Sequence, residues 1–335
     1  MARIDGRTYK DLRPVEIIPG VNKFAEGSCL IRCGNTHVLC TASVEERVPP
    51  HVPYGEGWVT AEYSMLPRAN RERSRRDVSK GKLSPRSAEI QRLVGRALRA
   101  SIDMKALGER TITIDCDVLQ GGGGTRTASV TGGYVALALA CQWLVKEGYL
   151  LRSPLRTAVA AVSAGIVDDE LLLDLCYEED SNAQVDLNCI MTEQGELVEI
   201  QGTGEGRAFT IEEQRGLVDL CAKGIRDIMA IQQAAIRQGE AGSTMAQVFE
   251  MLMLILFGLS WPFNIAKSLR SRTAKGKSIY FEMVIIVGYL CGIAGKIVGH
   301  NVTYVVAFYI IDIAMVSTDL ALTFRNRALD RAAER

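Results

Sequence analysis

The stretch Leu119-Gln-Gly-Gly-Gly-Gly-Thr-Arg-Thr-Ala-Ser129 sets four glycines directly before a Thr-Arg pair and an apolar run of helical character. Glycine adopts positive φ at little cost and carries no Cβ, so successive amide N–H groups can converge on an anion. A helix beginning near Thr127 or Ala128 would add its unpaired N–H groups and the positive end of its dipole, and Arg126 a planar, bidentate cation. A nucleotide cradle fits less well. No Lys follows the glycines as a Walker loop requires, and any glycine run satisfies the dinucleotide pattern GxGxxG trivially. Taken alone, the run is equally a tight strand-to-helix connection.

Two further clusters could carry chemistry. Between Arg68 and Arg86 come Arg71, Arg73, Arg75, Arg76, Lys80 and Lys82, with only Glu72 and Asp77 against them. Such a run can track a polyanionic backbone or stand as a solvated basic loop, and with no aromatic residue interleaved it does not indicate base stacking. Cys29, Cys33, His37 and Cys40 are close enough to raise a metal site. They sit in two alternating apolar runs around Gly34-Asn35, however, and their spacing is not that of a zinc knuckle, so a β-hairpin with buried thiols is expected. Nine cysteines behind a polar opening, MARIDGRTYKDLRP, are expected as free thiols in a reducing compartment.

These residues need elements to hold them. A chain of 335 residues is long enough for two domains, and a formal charge of zero excludes a general polycation. Residues 1–238 have mixed α/β texture, with strand-like Thr111-Ile-Thr-Ile-Asp115 and helical Ser87 to Ser101. Gly239-Glu-Ala-Gly-Ser-Thr244 opens a linker over 239–246. Residues 247–335 then hold three apolar segments, Val248–Ala266, Ile279–Val298 and Val302–Leu322, each near the roughly 20 residues that cross a bilayer core. A three-helix transmembrane module is expected. Glu250, Glu282, Asp312 and Asp319 interrupt it, which keeps a soluble three-helix bundle as the alternative.

Gly57-Trp-Val-Thr-Ala-Glu-Tyr-Ser-Met-Leu-Pro-Arg68, Ala88-Glu-Ile-Gln-Arg-Leu-Val-Gly-Arg-Ala-Leu-Arg99, Ile114-Asp-Cys-Asp-Val-Leu-Gln120, Glu179-Asp-Ser-Asn-Ala-Gln-Val-Asp-Leu-Asn188 and Glu199-Ile-Gln-Gly-Thr-Gly-Glu-Gly206 together resemble ribonuclease PH. The resemblance is collinear from about residue 3 to 238. It implies an α/β (α+β) domain of two βαβα-like halves, assembled as a homo-oligomer, a ring hexamer built from dimers. It also implies a phosphorolytic 3′→5′ exoribonuclease, a tRNA nucleotidyltransferase trimming the 3′ ends of tRNA precursors with inorganic phosphate and releasing nucleoside diphosphates. By that likeness Arg86, Gly124, Thr125 and Arg126 bind the phosphate, and Asp180 and Asp186 are catalytic and hold Mg²⁺ or Mn²⁺. Asp186 as a general acid to the leaving 3′ oxygen is the other reading. Glu178 and Glu179 are expected on a solvated loop. Arg68, Arg73 and Arg76 would support subunit contacts and tRNA or other RNA 3′ ends. The family usually has Ala-Asp where Gly121 and Gly122 stand, and Gly where Pro85 stands. A lost loop carboxylate leaves a catalytically weak RNA-binding ring subunit as a rival.

The tail resembles, loosely, the SemiSWEET and PQ-loop three-helix half-transporters, through Gly258-Leu-Ser-Trp-Pro-Phe-Asn264 and the basic loop after it, although no Pro-Gln dipeptide is present. Gly288, Gly292, Gly295 and Gly299 form one helical stripe suited to close packing. Asn264 and Asp312 are the pore-facing candidates if the tail is a solute carrier with the nuclease as passenger. The basic loop Lys267 to Lys277 and the end Arg325 to Arg335 are both expected in the cytoplasm, which with three spans would start the preceding domain outside. The RNA it needs is inside. The enzyme domain is therefore expected to be cytoplasmic and membrane-associated through its tail, by a re-entrant first segment, by the folded domain overriding the charge rule, or as a fusion joined near Met245.

Overall fold

The computed structural model describes residues 3–77, 79, 81–298 and 304–333, so Lys80, Gly299 and the start of the third apolar segment at Val302 lie outside the described residues. The chain divides into two compact units, Met1–Glu240 and Ala241–Arg335.

In unit one, β1 (Val15–Pro19), β2 (Gly27–Cys33), β3 (Thr36–Glu45), β4 (Trp58–Met65), α1 (Pro85–Ala100), α2 (Met104–Leu107), β5 (Thr111–Gln120) and α3 (Thr125–Lys146) make the first half. Its sheet runs β1-β2-β3-β5-β4. Only β4 and β5 pair in parallel, through the α1 crossover. The β2–β3 hairpin turns at Gly34, φ 52°, with Cys33 opposite Thr36. Alternation puts Cys29 and Cys40 on the buried face, where they pack as small apolar groups.

The second half holds β6 (Val159–Val167), β7 (Glu170–Leu173), α4 (Tyr177–Asp180), β8 (Val185–Thr192), β9 (Leu197–Thr203) and α5 (Ile211–Gly258). Its sheet, β7-β6-β8-β9, pairs antiparallel throughout. The expected pair of βαβα-like halves thus needs correction: β4-α1-β5-α3 fits that pattern, and the second half does not. Asp168 and Asp169, at φ 49° and 60°, turn β6 straight into β7, and Gly195, at φ 83°, turns β8 into β9. Parallel pairing needs a crossover of about a dozen residues or more, which these turns lack.

α3 packs on β2, β3 and β6, between the two sheets. It is apolar around its whole circumference because every face is covered. Gly132 permits the approach, since a Cβ there would stand 2.8 Å from both Cys40 Sγ and Ile31 Cγ2.

The N-terminal segment is tied into the second half by charge. Arg3 donates to Glu179 through Nε at 2.8 Å and Nη2 at 2.6 Å, and the side chains are only 2% and 4% exposed. Glu179 also accepts from the Cys176 amide at 3.0 Å. The expectation of a solvated Glu179 is therefore wrong, because its partner comes from the far end of the domain. Glu178 is exposed as expected.

Unit two contains the end of α5, then α6 (Ser260–Ser271), α7 (Ile279–Val298) and α8 (Val305–Ala333). The 239–246 segment is helical, within α5. Phe249–Ser271, Ile279–Ile297 and Val305–Ala332 are long and apolar enough to cross a membrane, by length and composition. On α8 the buried positions Tyr309, Asp312, Val316, Asp319, Thr323 and Asn326 recur at steps of three and four, one face of the helix, and most are polar. Outward-facing Tyr280, Phe281, Val284, Ile310 and Phe324 are all exposed. Gly292 packs against the Tyr309 ring, while Gly288 and Gly295 face open space.

Glu179→Ala would leave Arg3 buried without its counter-ion, and such a loss costs about 3–5 kcal/mol. A lower urea midpoint for unit one is expected. Burial alone would raise the Glu179 carboxyl, but Arg3 and the Cys176 amide hold it below its ordinary range. The pair therefore stabilises at neutral pH, and its contribution fades as pH falls through that lowered value.

Candidate active site

β5 ends at Gln120 and α3 starts at Thr125, earlier than the sequence suggested, so the glycines are the whole connection. The Gly121 amide donates to the Ala69 carbonyl at 2.8 Å and the Gly122 amide to the Thr36 hydroxyl at 3.0 Å. The Gly122 carbonyl accepts from Arg13 Nη1 at 3.0 Å and from the Tyr177 amide at 3.0 Å. The Gly123 carbonyl accepts from Arg13 Nη1 at 3.2 Å and from the Thr36 hydroxyl at 2.5 Å. Arg13 is itself held by Asp174, at 3.0 Å through Nε and 2.6 Å through Nη2.

Gly123 and Gly124, at φ 93° and 65°, then swing the chain into α3. A Cβ on Gly123 would lie 2.8 Å from the Tyr177 amide nitrogen and 2.9 Å from the Leu175 oxygen, so only glycine passes here. Gly124 caps α3 with no side-chain hydrogen bond, which leaves the amides of the first turn, Thr125 and Arg126 among them, without a side-chain cap. That is an anion site by construction.

The Gly121-Gly122 departure finds its compensation in the same contacts. A Cβ on Gly122 would fall 2.8 Å from Asn35 Cβ, so the backbone has settled into the space a side chain would need. The carboxylate that fixes the loop is Asp174, acting through Arg13. Pro85 likewise has a role, as the first residue of α1 after Ser84, whose extended φ −67°, ψ 148° is the conformation a following proline favours. Ser84 Oγ accepts from the Ser87 amide at 3.1 Å, and Asp77 accepts from the Ser84 amide at 3.2 Å and the Ser87 hydroxyl at 2.8 Å. Arg86 is thereby set in the first turn of α1, exposed.

Asp180 ends α4 and Asp186 is the second residue of β8, opposite Gly165 on β6 and Thr203 on β9. Asp186 accepts from Asn188 Nδ2 at 3.0 Å. Burial, then the neighbouring Asp180 charge, pushes its carboxyl up to about 6, against the pull of Arg126 and Asn188. Surrounding protein also raises Asp180, while Arg86, Arg126 and Arg13 oppose that shift. Arg86, Arg126, Asp180 and Asp186 thus act on one another in a single field, beside Gly124 and Thr125 at the mouth of α3.

Several supports were not visible beforehand. Tyr63 of β4 donates its hydroxyl to Thr125 Oγ1 at 2.9 Å in the core. Gln201 of β9 accepts from Arg126 Nη1 at 2.9 Å, and Glu89 of α1 lies 3.4 Å from the same nitrogen. Alternation in the strand motifs could have marked Tyr63 as inward; nothing local marks Gln201. Of the basic loop, Arg68, Arg73 and Arg76 are exposed. Arg71 reaches the α4 side of the site, 2.6 Å from Glu178 and 5.9 Å from the Tyr177 ring. Arg76 stands near Asp117, whose carboxyl burial raises and Arg76 draws back down.

Comparison with known proteins covers most of unit one. Residues 11–141 match the 3′ exoribonuclease family, domain 1, and residues 157–216 match its domain 2. Ribonuclease PH of Moorella thermoacetica is 54% identical over 237 residues, 70% of this chain and 95% of that one. Ribonuclease PH of Bacillus pumilus is 55% identical over 234 residues, 69% of this chain and 97% of that one. Among solved structures, the Archaeoglobus fulgidus exosome with RNA bound to its active site is 26% identical at TM-score 0.59, covering 68% of this chain and 91% of that one. Rice Rrp46, 15% identical at TM-score 0.58 over 70% of this chain and 100% of that one, shares the fold.

Proposed function

The chain belongs to the ribonuclease PH family of 3′ exoribonucleases, and on that premise we propose how its own residues carry the reaction and what its tail adds. It is a phosphorolytic 3′ exoribonuclease that processes tRNA precursors, with inorganic phosphate as co-substrate and RNA as substrate. The observation that carries the residue assignment is the meeting of two guanidinium groups and the open N-terminus of α3 with a raised carboxylate pair.

Phosphate is taken by the amides of Thr125 and Arg126 and by the Arg126 and Arg86 side chains, with Gly124 keeping the approach open. Its oxygen attacks the phosphorus of the terminal phosphodiester. The bond to the 3′ oxygen breaks, a nucleoside diphosphate leaves, and the shortened RNA takes up a proton at its 3′ oxygen. Two anions must meet, so the arginines lower the barrier chiefly by fixed positive charge.

Asp180 and Asp186 suit Mg²⁺ or Mn²⁺, because they concentrate negative charge that no lysine or arginine ion pair neutralises among the described residues. Two carboxylates completed by waters are an ordinary magnesium donor set. Bound there, the cation supplies neutralisation of the transferring phosphoryl group. The raised Asp186 carboxyl favours a second reading, in which its protonated form gives the proton to the leaving 3′ oxygen.

Arg68, Arg73 and Arg76 are assigned to the RNA backbone or to a neighbouring subunit in a hexamer of dimers, supported by their exposure. Unit two is assigned to the membrane, holding the enzyme domain at the cytoplasmic face. What supports this is its inverted polarity: apolar side chains face outward and carboxylates inward. A soluble bundle would bury the first and expose the second. The likeness to half-transporters rests on the same three spans, and a solute path would need a second copy of the unit. The anchored loop argues against the catalytically weak subunit.

Arg126→Ala should cut kcat/KM for phosphate about 100-fold and leave RNA affinity unchanged; unaltered turnover at limiting phosphate refutes the clamp. Calorimetric Mg²⁺ affinity should strengthen as pH rises through about 6, since a protonated carboxyl cannot ligate. A flat profile would leave Asp186 as the proton donor alone. The full chain should float with lipid vesicles and, in detergent, sediment as a ring-sized assembly. Failure to float would remove the membrane assignment, and a monomer in detergent would remove the ring.

A further inference from the structure

The inner seam of unit two is mostly self-neutralising. Lys296 reaches Glu250 at 2.6 Å, and the Tyr309 hydroxyl donates to the same carboxylate at 3.0 Å. Lys277 bridges to Asp319 at 2.5 Å, and Ser268 donates to Asp319 at 2.8 Å. Glu282 accepts from Thr323 at 3.2 Å through one oxygen, and its other oxygen is unpartnered among the described residues.

Asp312 shares with Glu282 an orphaned oxygen. It is 3% exposed, and among the described residues no lysine or arginine pairs with it and its Oδ2 has no hydrogen-bond partner. Neutral groups of α5 and α7 face it. From α5 comes Gly258, so close that a Cβ there would stand 2.5 Å from Asp312 Oδ1. α7 contributes the Tyr289 hydroxyl. Trp261 of α6, 5% exposed, stands beside that Tyr289 hydroxyl. On α8 itself Tyr309 lies one turn back, committed to Glu250.

A carboxylate enclosed in this way, with its nearest lysines already taken, is far more costly than the neutral acid. The acid also has a donor that the carboxylate lacks. We propose that Asp312 is a proton-binding site of the tail and carries a proton in this arrangement. The proposal takes its setting from the membrane assignment and adds a ligand to it.

The test is infrared spectroscopy of the full chain, wild type minus Asp312→Asn, in phosphatidylcholine–phosphatidylglycerol vesicles and again in detergent. A protonated-carboxyl band in the difference at neutral pH, lost on going to alkaline pH, is expected. Its absence at neutral pH overturns the proposal. If the variant does not accumulate, dicyclohexylcarbodiimide labelling of the wild type reads the same group. Modification at Asp312 should fall about tenfold for each pH unit above its titration point, and an unlabelled Asp312 overturns the proposal. Failure to float with vesicles would remove the membrane assignment alone, because the detergent spectrum still decides the proton.

Discussion

The buried pair between Arg13 and Asp174 is the constraint on which the catalytic half of the molecule depends. Arg13 precedes β1 and Asp174 follows β7, so the pair joins the two sheets. The remaining guanidinium nitrogen is turned on the glycine loop, where it fixes two successive carbonyls. The Gly121 and Gly122 amides are held as well, by the Ala69 carbonyl and the Thr36 hydroxyl, so the loop is fixed throughout and the amides left without a side-chain cap are those of the first turn of α3. Taking two charges out of water is expensive, and such a pair is a poor stabiliser in itself. Its worth here is geometric, since one ion pair sets the loop, the helix start and the relation between the halves.

The same geometry explains why the two aspartates are not an isolated acidic pair. α4 carries Asp180 and follows Asp174 by a few residues, and the Tyr177 amide returns to the Gly122 carbonyl. Glu179, one residue before Asp180, is locked to Arg3. Carboxylates on a four-residue helix would otherwise wander. Bound from both sides, Asp180 stays close enough to Asp186 to raise it, with both in the field of Arg126 and Asp180 in that of Arg86 as well.

The site's chemistry was legible in the sequence, and its supports were largely not. The glycine run announces an anion nest because glycine's lack of Cβ is a local property, and the hairpin at Gly34-Asn35 follows from alternation and a turn pair. Arg3 and Glu179, by contrast, are separated by 176 residues, and Arg126 and Gln201 by 75. No periodicity or turn chemistry links such positions, so Glu179 looked like a solvated acid and Gln201 like any strand residue. The second half misled for another reason. Its βαβα-like pattern was expected from the family resemblance, whereas its strands come in directly connected pairs, and the turns at Asp168-Asp169 and Gly195 allow antiparallel neighbours only.

Hydropathy alone fails in this chain in an instructive way. α3, Ile279–Ile297 and Val305–Ala332 are all long and apolar enough to cross a bilayer, but most of the apolar stretch of α3 is buried inside a protein core and little of the other two is. What separates them is where their few polar residues stand. On α3 the small and hydroxylic residues that open it, Thr125, Thr127, Ser129 and Thr131, are buried against neighbouring structure, with Thr131 bonded to the Ala161 backbone in β6. Polar residues there serve contact between elements that are apolar themselves. On α8 they line one buried face while the aliphatic and aromatic residues point outward, an order that water would penalise on both counts. The decisive quantity is therefore the direction of the polar stripe relative to burial. A sequence shows the stripe by its steps of three and four; only the fold shows that it faces inward.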